Sequence, residues 1–157
     1  MKGNFQWKAE VKINAPSRRI WEIADDISLI PQYHPEVGKV DLITGQKKRA
    51  IGVKYQCHIF EGRKGSCIEE VCEYIPNVKV STRMSEDSWG MNKMLSDFVV
   101  DTTVLSQNDQ TTVLLFEAYY NPVGLFNKLL NKLMLRRIMK KRSISVMLGI
   151  KRLAEEH

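Results

Sequence analysis

The sequence predicts an α+β domain in which a curved antiparallel sheet of about seven strands holds one long C-terminal helix. Most of the chain from residue 37 to residue 120 consists of strand-like stretches separated by turn signals, and two short helical segments precede them. One helical pattern covers residues 122–157. Hairpin links make such a sheet antiparallel, and a long sheet with so little helix must curl to cover its apolar face. The 157 residues fit a single domain, 1–157.

Composition and charge narrow the protein class. Apolar residues make up 43% of the chain and charged residues 27%, which is ordinary for a globular domain. No apolar run approaches the ~18 residues of a membrane span. The first residues alternate as in a strand and lack the apolar core of a signal peptide, so we expect a cytoplasmic protein.

Cysteines and histidines are few and unsuited to a metal site or a disulfide framework. The three cysteines are odd in number and include no C-x-x-C pair, and the three histidines offer no zinc-ligand spacing. We therefore expect no metal and no cofactor, and we expect Cys57, Cys67 and Cys72 to pack as small apolar residues.

The N-terminal elements are a strand and two short helices. Apolar residues alternate with polar ones from Phe5 to Ile13, as in a half-buried strand. Pro16 suits the start of a helix that runs to about Ile27. Residues 29–35 contain two prolines and predict an elbow with a second short turn.

The strands that follow are delimited by turn residues. Their predicted ranges are 37–44, 53–60, 66–75, 78–84, 92–105 and 111–120, with a hairpin turn at 61–65. Two orientations are open for the last strand, because its odd positions through Tyr119 and its even positions through Phe116 and Tyr120 are about equally apolar.

The apolar face of the terminal helix changes direction partway along. Phe126 and Leu133 share one face of the helix, whereas Met139 and Ile150 share a different face, rotated well away from the first about the helix axis. This pattern predicts a break near Met134 or a helix clasped on two sides. We expect the first run to close one end of an internal cavity and the second to lie along the sheet.

Four stretches carry a resemblance to a known superfamily. Residues 13–21 are similar to a helix entry written I-x-A-P-x-x-x-V-W, residues 29–37 to an elbow written L-P-x-W-x-P-x-V, residues 70–76 to a strand end written V-x-E-Y-x-P, and residues 122–125 to the opening of the C-terminal helix. Together they resemble the START/SRPBCC superfamily, whose fold is called the helix-grip, and within it the polyketide cyclase/dehydrase-like proteins. The resemblance spans the whole chain and implies a cavity between sheet and helix.

Candidate functional residues follow from the expected cavity. Arg83, at a strand end, either points inward to bind a carboxylate or enolate oxygen, or lies on the surface as a partner of nearby glutamates. The catalytic candidates are Arg83, Tyr55 and Tyr119. The candidate ligand-binding residues are Tyr33, His34, Tyr55, Cys57, Arg83, Trp89, Phe98, Phe116, Tyr119, Phe126, Leu130 and Met134.

Three functions are compatible with these residues. The first is binding, and possible transport, of a small hydrophobic molecule such as a lipid, isoprenoid, quinone or polyketide-like compound. The second is a cyclase/dehydratase-type enzyme. The third is an interaction module whose basic helix meets an anionic membrane or a ribosome, with Ile144, Met147 and Leu148 exposed. No DNA partner is expected, and the oligomeric state is left open.

Overall fold

The computed structural model describes residues 1–60 and 64–156. The hairpin turn predicted at 61–65 therefore lies largely outside the described residues. Within them, seven strands form one sheet in the order β1-β7-β6-β5-β4-β3-β2, and each neighbouring pair is antiparallel. The predicted helix-grip architecture is confirmed, since this sheet curves around a long C-terminal helix.

The observed elements follow the predicted order. The strands are β1 Phe5–Ile13, β2 Val37–Asp41, β3 Lys54–Ile59, β4 Gly65–Ile75, β5 Lys79–Asp87, β6 Leu95–Asn108 and β7 Thr111–Pro122. The helices are α1 Ser17–Asp25, α2 Ile30–Tyr33, α3 Met91–Met94, α4 Gly124–Leu130 and α5 Arg136–Glu155, with a 3₁₀ turn at Ile27–Leu29 and a π-helical segment at Asn131–Leu135.

One strand begins later than predicted. Residues 92–94 were expected in a strand, but they form the short helix α3. The Asp87 carboxylate accepts the backbone N–H groups of Trp89, Met91 and Asn92 at 2.7–2.9 Å, and these bonds hold the turn in place. A side chain that satisfies three backbone donors outweighs the β-pattern of the sequence here.

Helix α5 packs across the concave face of the sheet. It contacts β1, α1 and α2, and it buries Met147, Ile150 and Ala154. A Cβ on Gly149 would lie 2.0 Å from the Tyr33 carbonyl oxygen, so only glycine allows α5 to approach the elbow this closely. The expected exposure of Met147 is wrong, because this residue lies at the centre of the helix–sheet contact.

The predicted break near Met134 coincides with the π-helical segment. There Asn131, rather than a leucine, faces the protein, since its Oδ1 accepts the Tyr120 hydroxyl at 2.6 Å and its Nδ2 donates to Gln6 Oε1 at 3.1 Å. The apolar run from Phe126 to Leu133 is consequently turned to solvent. Our expectation that it closes the cavity is wrong.

The convex face of the sheet carries a buried charge. Asp101, which is almost fully buried, accepts hydrogen bonds from Lys2 Nζ at 2.7 Å and Ser81 Oγ at 2.7 Å, and Lys79 Nζ lies 3.2 Å from it. Lys79 also pairs with Glu73 at 2.8 Å. We call these five residues the Asp101 cluster.

Candidate functional site

An internal cavity of about 190 Å³ lies between the concave face of the sheet, helix α5 and the elbow. Phe98, Val100 and Thr102 project into it from β6, because alternate residues of a strand face the same side. Phe116 of β7 adds a second aromatic wall, and Val146 of α5 closes the opposite side. The walls are therefore mainly apolar.

One part of the wall is polar and charged. Arg49 and Glu69 line the cavity, and Tyr55 lies fully buried beside them. The Tyr55 hydroxyl donates to Glu69 Oε2 at 2.6 Å and accepts from Arg49 Nη2 at 3.1 Å. Tyr33 is next to the same guanidinium. We call Tyr33, Arg49, Tyr55 and Glu69 the Arg49 cluster.

The electrostatics of this cluster keep its tyrosines neutral and its arginine charged. Burial raises the pKa of Tyr55 well above its ordinary value, and burial likewise raises the pKa of Tyr33, although the positive charge of Arg49 partly opposes both shifts. Burial acts against the charge of Arg49, but Tyr55, Tyr33 and Glu69 more than compensate and raise its pKa. The cluster therefore presents a permanent cation to the cavity.

The Arg49 guanidinium has an unmet donor. Arg49 is half-buried as a whole residue, but its Nε is enclosed and has no hydrogen-bond partner in the described part of the chain. An enclosed donor left without an acceptor costs roughly 1–3 kcal/mol. Because Arg49 lines the cavity and carries a permanent charge, its side chain is the strongest candidate for a polar ligand contact.

Backbone hydrogen bonds fix the loop that carries Arg49. The Ile27 N–H donates to the Lys47 carbonyl at 2.8 Å, and the Arg49 N–H donates to the Asp25 carbonyl at 3.1 Å. These bonds tie the loop after β2 to the end of α1. The Arg49 side chain therefore reaches the cavity from a fixed backbone rather than from a free loop.

His34 lies on the cavity wall as a neutral ring. Burial lowers its pKa to about 4, so the ring is uncharged at neutral pH. The Glu36 N–H donates to His34 Nδ1 at 3.2 Å, which places the ring proton on Nε2. His34 thus offers one N–H donor.

A groove of about 620 Å³ adjoins the cavity on the outside of the elbow. Tyr33, His34 and Val37 line both spaces, so these three side chains form the partition between them. Leu148 and Arg152 of α5 form the far side of the groove.

The structure brings together five of the predicted ligand-binding residues. The wall of the cavity includes Tyr33, His34, Cys57, Phe98 and Phe116. A hydrogen bond with Cys67 is the main reason that the pKa of the Cys57 thiol is raised, with burial second, so Cys57 presents an uncharged thiol to the cavity. Tyr55 lies behind the wall and acts on the cavity through Arg49 and Glu69.

Arg83 and Tyr119 do not face the cavity, so of the two orientations left open for each, the outward one holds, and their candidate roles in catalysis and ligand binding are wrong. Thr82 and Met84 line the cavity, so Arg83 between them points to the convex side, where Glu70 is its partner in the strand register. Tyr119 also faces the convex side, with Lys2 Nζ 4.2 Å from its ring centre. In β7 the even positions are the buried ones.

The remaining predicted residues lie away from the cavity. Trp89 packs over Gly65 and donates from Nε1 to the Lys64 carbonyl at 3.2 Å. Phe126 and Met134 are exposed, and Leu130 is half-buried outside the cavity wall. Their expected place at the closed end of the cavity is wrong, because Asn131 is the residue that turns inward.

Sequence reasoning missed Arg49 and did not assign Glu69 to the site. Arg49 follows Lys47 and Lys48 in a loop that looks like ordinary solvated charge. Glu69 shares strand parity with Cys67, and this spacing is the one signal that could have placed it inward. In the described ranges 1–60 and 64–156, no group of three or more His, Cys, Asp or Glu residues could hold a metal ion.

The chain matches a known protein family. A family model described as polyketide cyclase / dehydrase and lipid transport matches residues 5–155. No curated protein matches the sequence of this chain.

Solved structures similar to this one include two enzymes. Norcoclaurine synthase from Thalictrum flavum, in complex with dopamine and hydroxybenzaldehyde, is 16% identical, with 96% of this chain and 86% of that chain covered and a TM-score of 0.75. The ZhuI aromatase/cyclase from a Streptomyces species is 15% identical, with 95% and 92% covered and a TM-score of 0.72. A protein from Thermus thermophilus is 19% identical, with 94% of each chain covered and a TM-score of 0.71. At these identities the likeness shows the fold alone.

Proposed function

This chain belongs to the polyketide cyclase/dehydrase and lipid transport family, and from that premise we propose that it binds a small hydrophobic molecule in the cavity. One observation carries the proposal: a mainly apolar cavity with the charged side chain of Arg49 on one part of its wall. Apolar walls with a few convergent polar groups are typical of ligand sites. A cytoplasmic location is part of the same proposal, and cell fractionation would test it.

Cavity size selects among hydrophobic ligands. A dry cavity of about 150 Å³ holds a benzene molecule. At about 190 Å³, the cavity suits one substituted ring or a short chain better than a full acyl chain. The quinone and polyketide-like classes therefore fit better than a lipid with long acyl chains. The norcoclaurine synthase structure likewise holds ring compounds, dopamine and hydroxybenzaldehyde.

The charge of the cavity wall determines which polar group a ligand can place there. The permanent cation of Arg49 favours a carboxylate, enolate or carbonyl oxygen, and the His34 Nε2–H adds a neutral donor on the same wall. The ring would lie between Phe98 and Phe116, with its oxygen against Arg49. We therefore expect a ring that carries an anionic or strongly accepting oxygen.

Titration calorimetry with simple probes tests this proposal. Benzoate and toluene should both bind the full chain, whereas palmitate should not bind with comparable affinity. Replacing Arg49 with Met should weaken benzoate binding about tenfold, because a hydrogen bond to a charged group is lost, and should leave toluene binding nearly unchanged. The matched control is Arg83→Met, which removes the same side chain from the convex face.

Cavity-filling variants provide a second readout. Thr102→Phe should abolish binding of both ring probes, whereas Thr103→Phe, one residue along on the other face of β6, should not. The proposal is wrong if neither ring binds. It is also wrong if Arg83→Met and Thr103→Phe weaken binding as much as their inward-facing counterparts.

A cyclase/dehydratase-type reaction is the second candidate. The observation in its favour is that Arg49 lies beside Glu69 at the cavity, since a cation stabilises an enolate oxygen and a carboxylate accepts a proton. Arg83 and Tyr119 have no part in this version, because they face away. Mass spectrometry of a β-ketothioester incubated with the protein and with Glu69→Gln tests it, and unchanged starting material with the native chain would exclude it.

A further inference from the structure

We propose that residues Gly124–Leu135, here called the terminal arm, dock the protein onto an anionic lipid bilayer. This inference goes beyond the binding of a ligand in the cavity and does not depend on it. Four apolar side chains of the arm are largely exposed to solvent: Leu125 is 85% exposed, Phe126 75%, Leu133 62% and Leu129 57%. Four large apolar side chains this exposed within nine residues of one helical element mark an interaction surface.

The exposed residues form a stripe along one side of the arm. At about 100° per residue, Leu125, Phe126, Leu129 and Leu133 fall within one arc of about 100°. Asn131 lies on the opposite side and joins the arm to Tyr120 and Gln6. The arm is therefore held to the sheet by its polar face while its apolar face points away from the protein.

Positive charge borders the stripe. Between Val123 and Ala154 the sequence has no acidic residue and nine basic ones. Seven of them lie in the arm or in the first two turns of α5: Lys128, Lys132, Arg136, Arg137, Lys140, Lys141 and Arg142. The other two, Lys151 and Arg152, lie near the end of α5 and pair with Glu155 and Glu156. Arg142 pairs with Glu36 at 3.7 Å, and Arg136 donates to Gln6, whereas Lys128 and Lys132 make no ion pair with the described residues. The charge beside the stripe is free for an external partner.

An anionic bilayer satisfies both halves of this pattern. Apolar side chains of an interfacial helix enter the boundary between headgroups and acyl chains, while lysine and arginine extend to the phosphates. No helix in the described residues is long and apolar enough to cross a membrane, so the arm would lie in the interface. Of the three predicted contact residues, Leu148 is exposed, but Ile144 is half-buried and Met147 is buried, so the larger exposed apolar surface lies on the arm rather than on α5.

Other occupants fit less well. A second copy of the chain packed arm to arm would bring Lys128 and Lys132 against the same cations without an acidic partner. A nucleic acid would use the charge but would leave Leu125, Leu129 and Leu133 in water, and only Phe126 in the arm could stack on a base. The bilayer is the one occupant that uses both the leucines and the lysines.

Vesicle co-sedimentation of the full chain tests the proposal. Binding is expected to vesicles of equal parts phosphatidylcholine and phosphatidylglycerol, and to fall at least about tenfold on phosphatidylcholine alone or in about 1 M salt. The double variant Leu125→Ser/Phe126→Ser should reduce binding to the mixed vesicles at least about tenfold, as should Lys128→Gln/Lys132→Gln. These side chains are exposed, so the fold should tolerate the changes.

Matched controls come from elsewhere on the surface. Ile51→Ser removes another exposed apolar residue, 72% exposed, and Lys8→Gln/Lys39→Gln removes two exposed lysines of the sheet. Both controls should bind mixed vesicles like the native chain, and benzoate binding should be unchanged in every arm variant. The proposal is overturned if the native chain does not sediment with mixed vesicles at low salt, or if the controls lose as much binding as the arm variants. It is equally overturned if light scattering shows a dimer that only Leu125→Ser/Phe126→Ser dissociates, or if the arm variants lose binding to RNA but not to vesicles.

Discussion

Two clusters of buried charge lie on opposite faces of the same sheet, the Arg49 cluster on the concave side and the Asp101 cluster on the convex side. Both oxygens of Asp101 have donors within 2.7 Å, from Lys2 and Ser81. Arg49 Nη2 donates to the Tyr55 hydroxyl, and the guanidinium lies over the Tyr55 ring. The enclosed Arg49 Nε, however, has no hydrogen-bond partner among the described residues. Only the incomplete cluster borders an internal cavity.

This difference separates a stabilising role from a binding role. A buried charge whose hydrogen bonds are complete holds its surroundings in one arrangement, and removing it leaves its partners unpaired. A buried donor without an acceptor costs stability, and a charged side chain on a cavity wall can bind a ligand oxygen. We therefore expect changes in the Asp101 cluster to act mainly on folding and changes in the Arg49 cluster to act mainly on binding.

The largest expected effect is on stability, from Asp101→Ala. The change removes the acceptor of Lys2, and it leaves Ser81 and Lys79 with the partly exposed Glu73 carboxylate alone. Breaking a buried pair by removing one partner costs about 3 kcal/mol in the free energy of unfolding. Urea unfolding followed by circular dichroism measures it. The control Asp109→Ala, in the exposed β6–β7 turn, should cost less than about 0.5 kcal/mol, and equal losses in the two variants would remove the stabilising role from Asp101.

A smaller loss of stability is expected for Arg49→Met. The variant loses the hydrogen bond to Tyr55, but it no longer encloses an unpaired Nε, and Glu69 keeps the Tyr55 hydroxyl as donor. The net cost should be about 1 kcal/mol, clearly below that of Asp101→Ala. The same urea titration compares the two. A loss as large as that of Asp101→Ala would mean that both clusters serve stability and that the comparison fails.

The two clusters also differ in how far the sequence predicts them. The fold was predictable because strand alternation, the paired prolines of the elbow and the reversal of the apolar face near Met134 are local signals that the structure obeys. The Arg49 cluster was not, because Arg49 comes from a loop and Glu69 from β4, and only the tertiary fold brings them together.

Strand orientation explains the other errors. The odd and even positions of β7 are about equally apolar, because one face meets α5 and the cavity while the other carries Tyr119 against Phe5 and Lys2. Because the convex face is also partly covered, apolar and polar residues do not alternate clearly along β7. The sequence alone therefore does not decide which positions of β7 face the cavity. The orientation of Arg83 was left open for a related reason, since its neighbours Thr82 and Met84 do not form a clearly apolar face of β5.

The smallest expected effect is a difference in the pH range over which the two faces of the sheet lose stability. His34, on the cavity wall, has its pKa lowered by burial to about 4, against an ordinary value of 6.5. The unfolded chain therefore binds more protons between these values, and His34 contributes stability that is full above about pH 6.5 and is lost as the pH falls to about 4. Asp101 acts in a lower window: burial opposes its ionisation, but bonds from Lys2 and Ser81 prevail and lower its pKa, so its contribution is present above 3.8 and is lost as the pH falls through its folded-state pKa.

The variant His34→Gln isolates the upper window. Its free energy of unfolding, measured by urea titration at intervals from pH 7 to about pH 5.5, should fall by about 1 kcal/mol less than that of the native chain, because the glutamine amide does not titrate. Asp101→Asn should leave this interval unchanged and should flatten the loss of stability below pH 3.8 instead. If His34→Gln follows the native curve, the ring is not enclosed in solution, and the partition between groove and cavity is open rather than closed. That result would leave the cavity continuous with the groove, and the ligand could then exceed one ring.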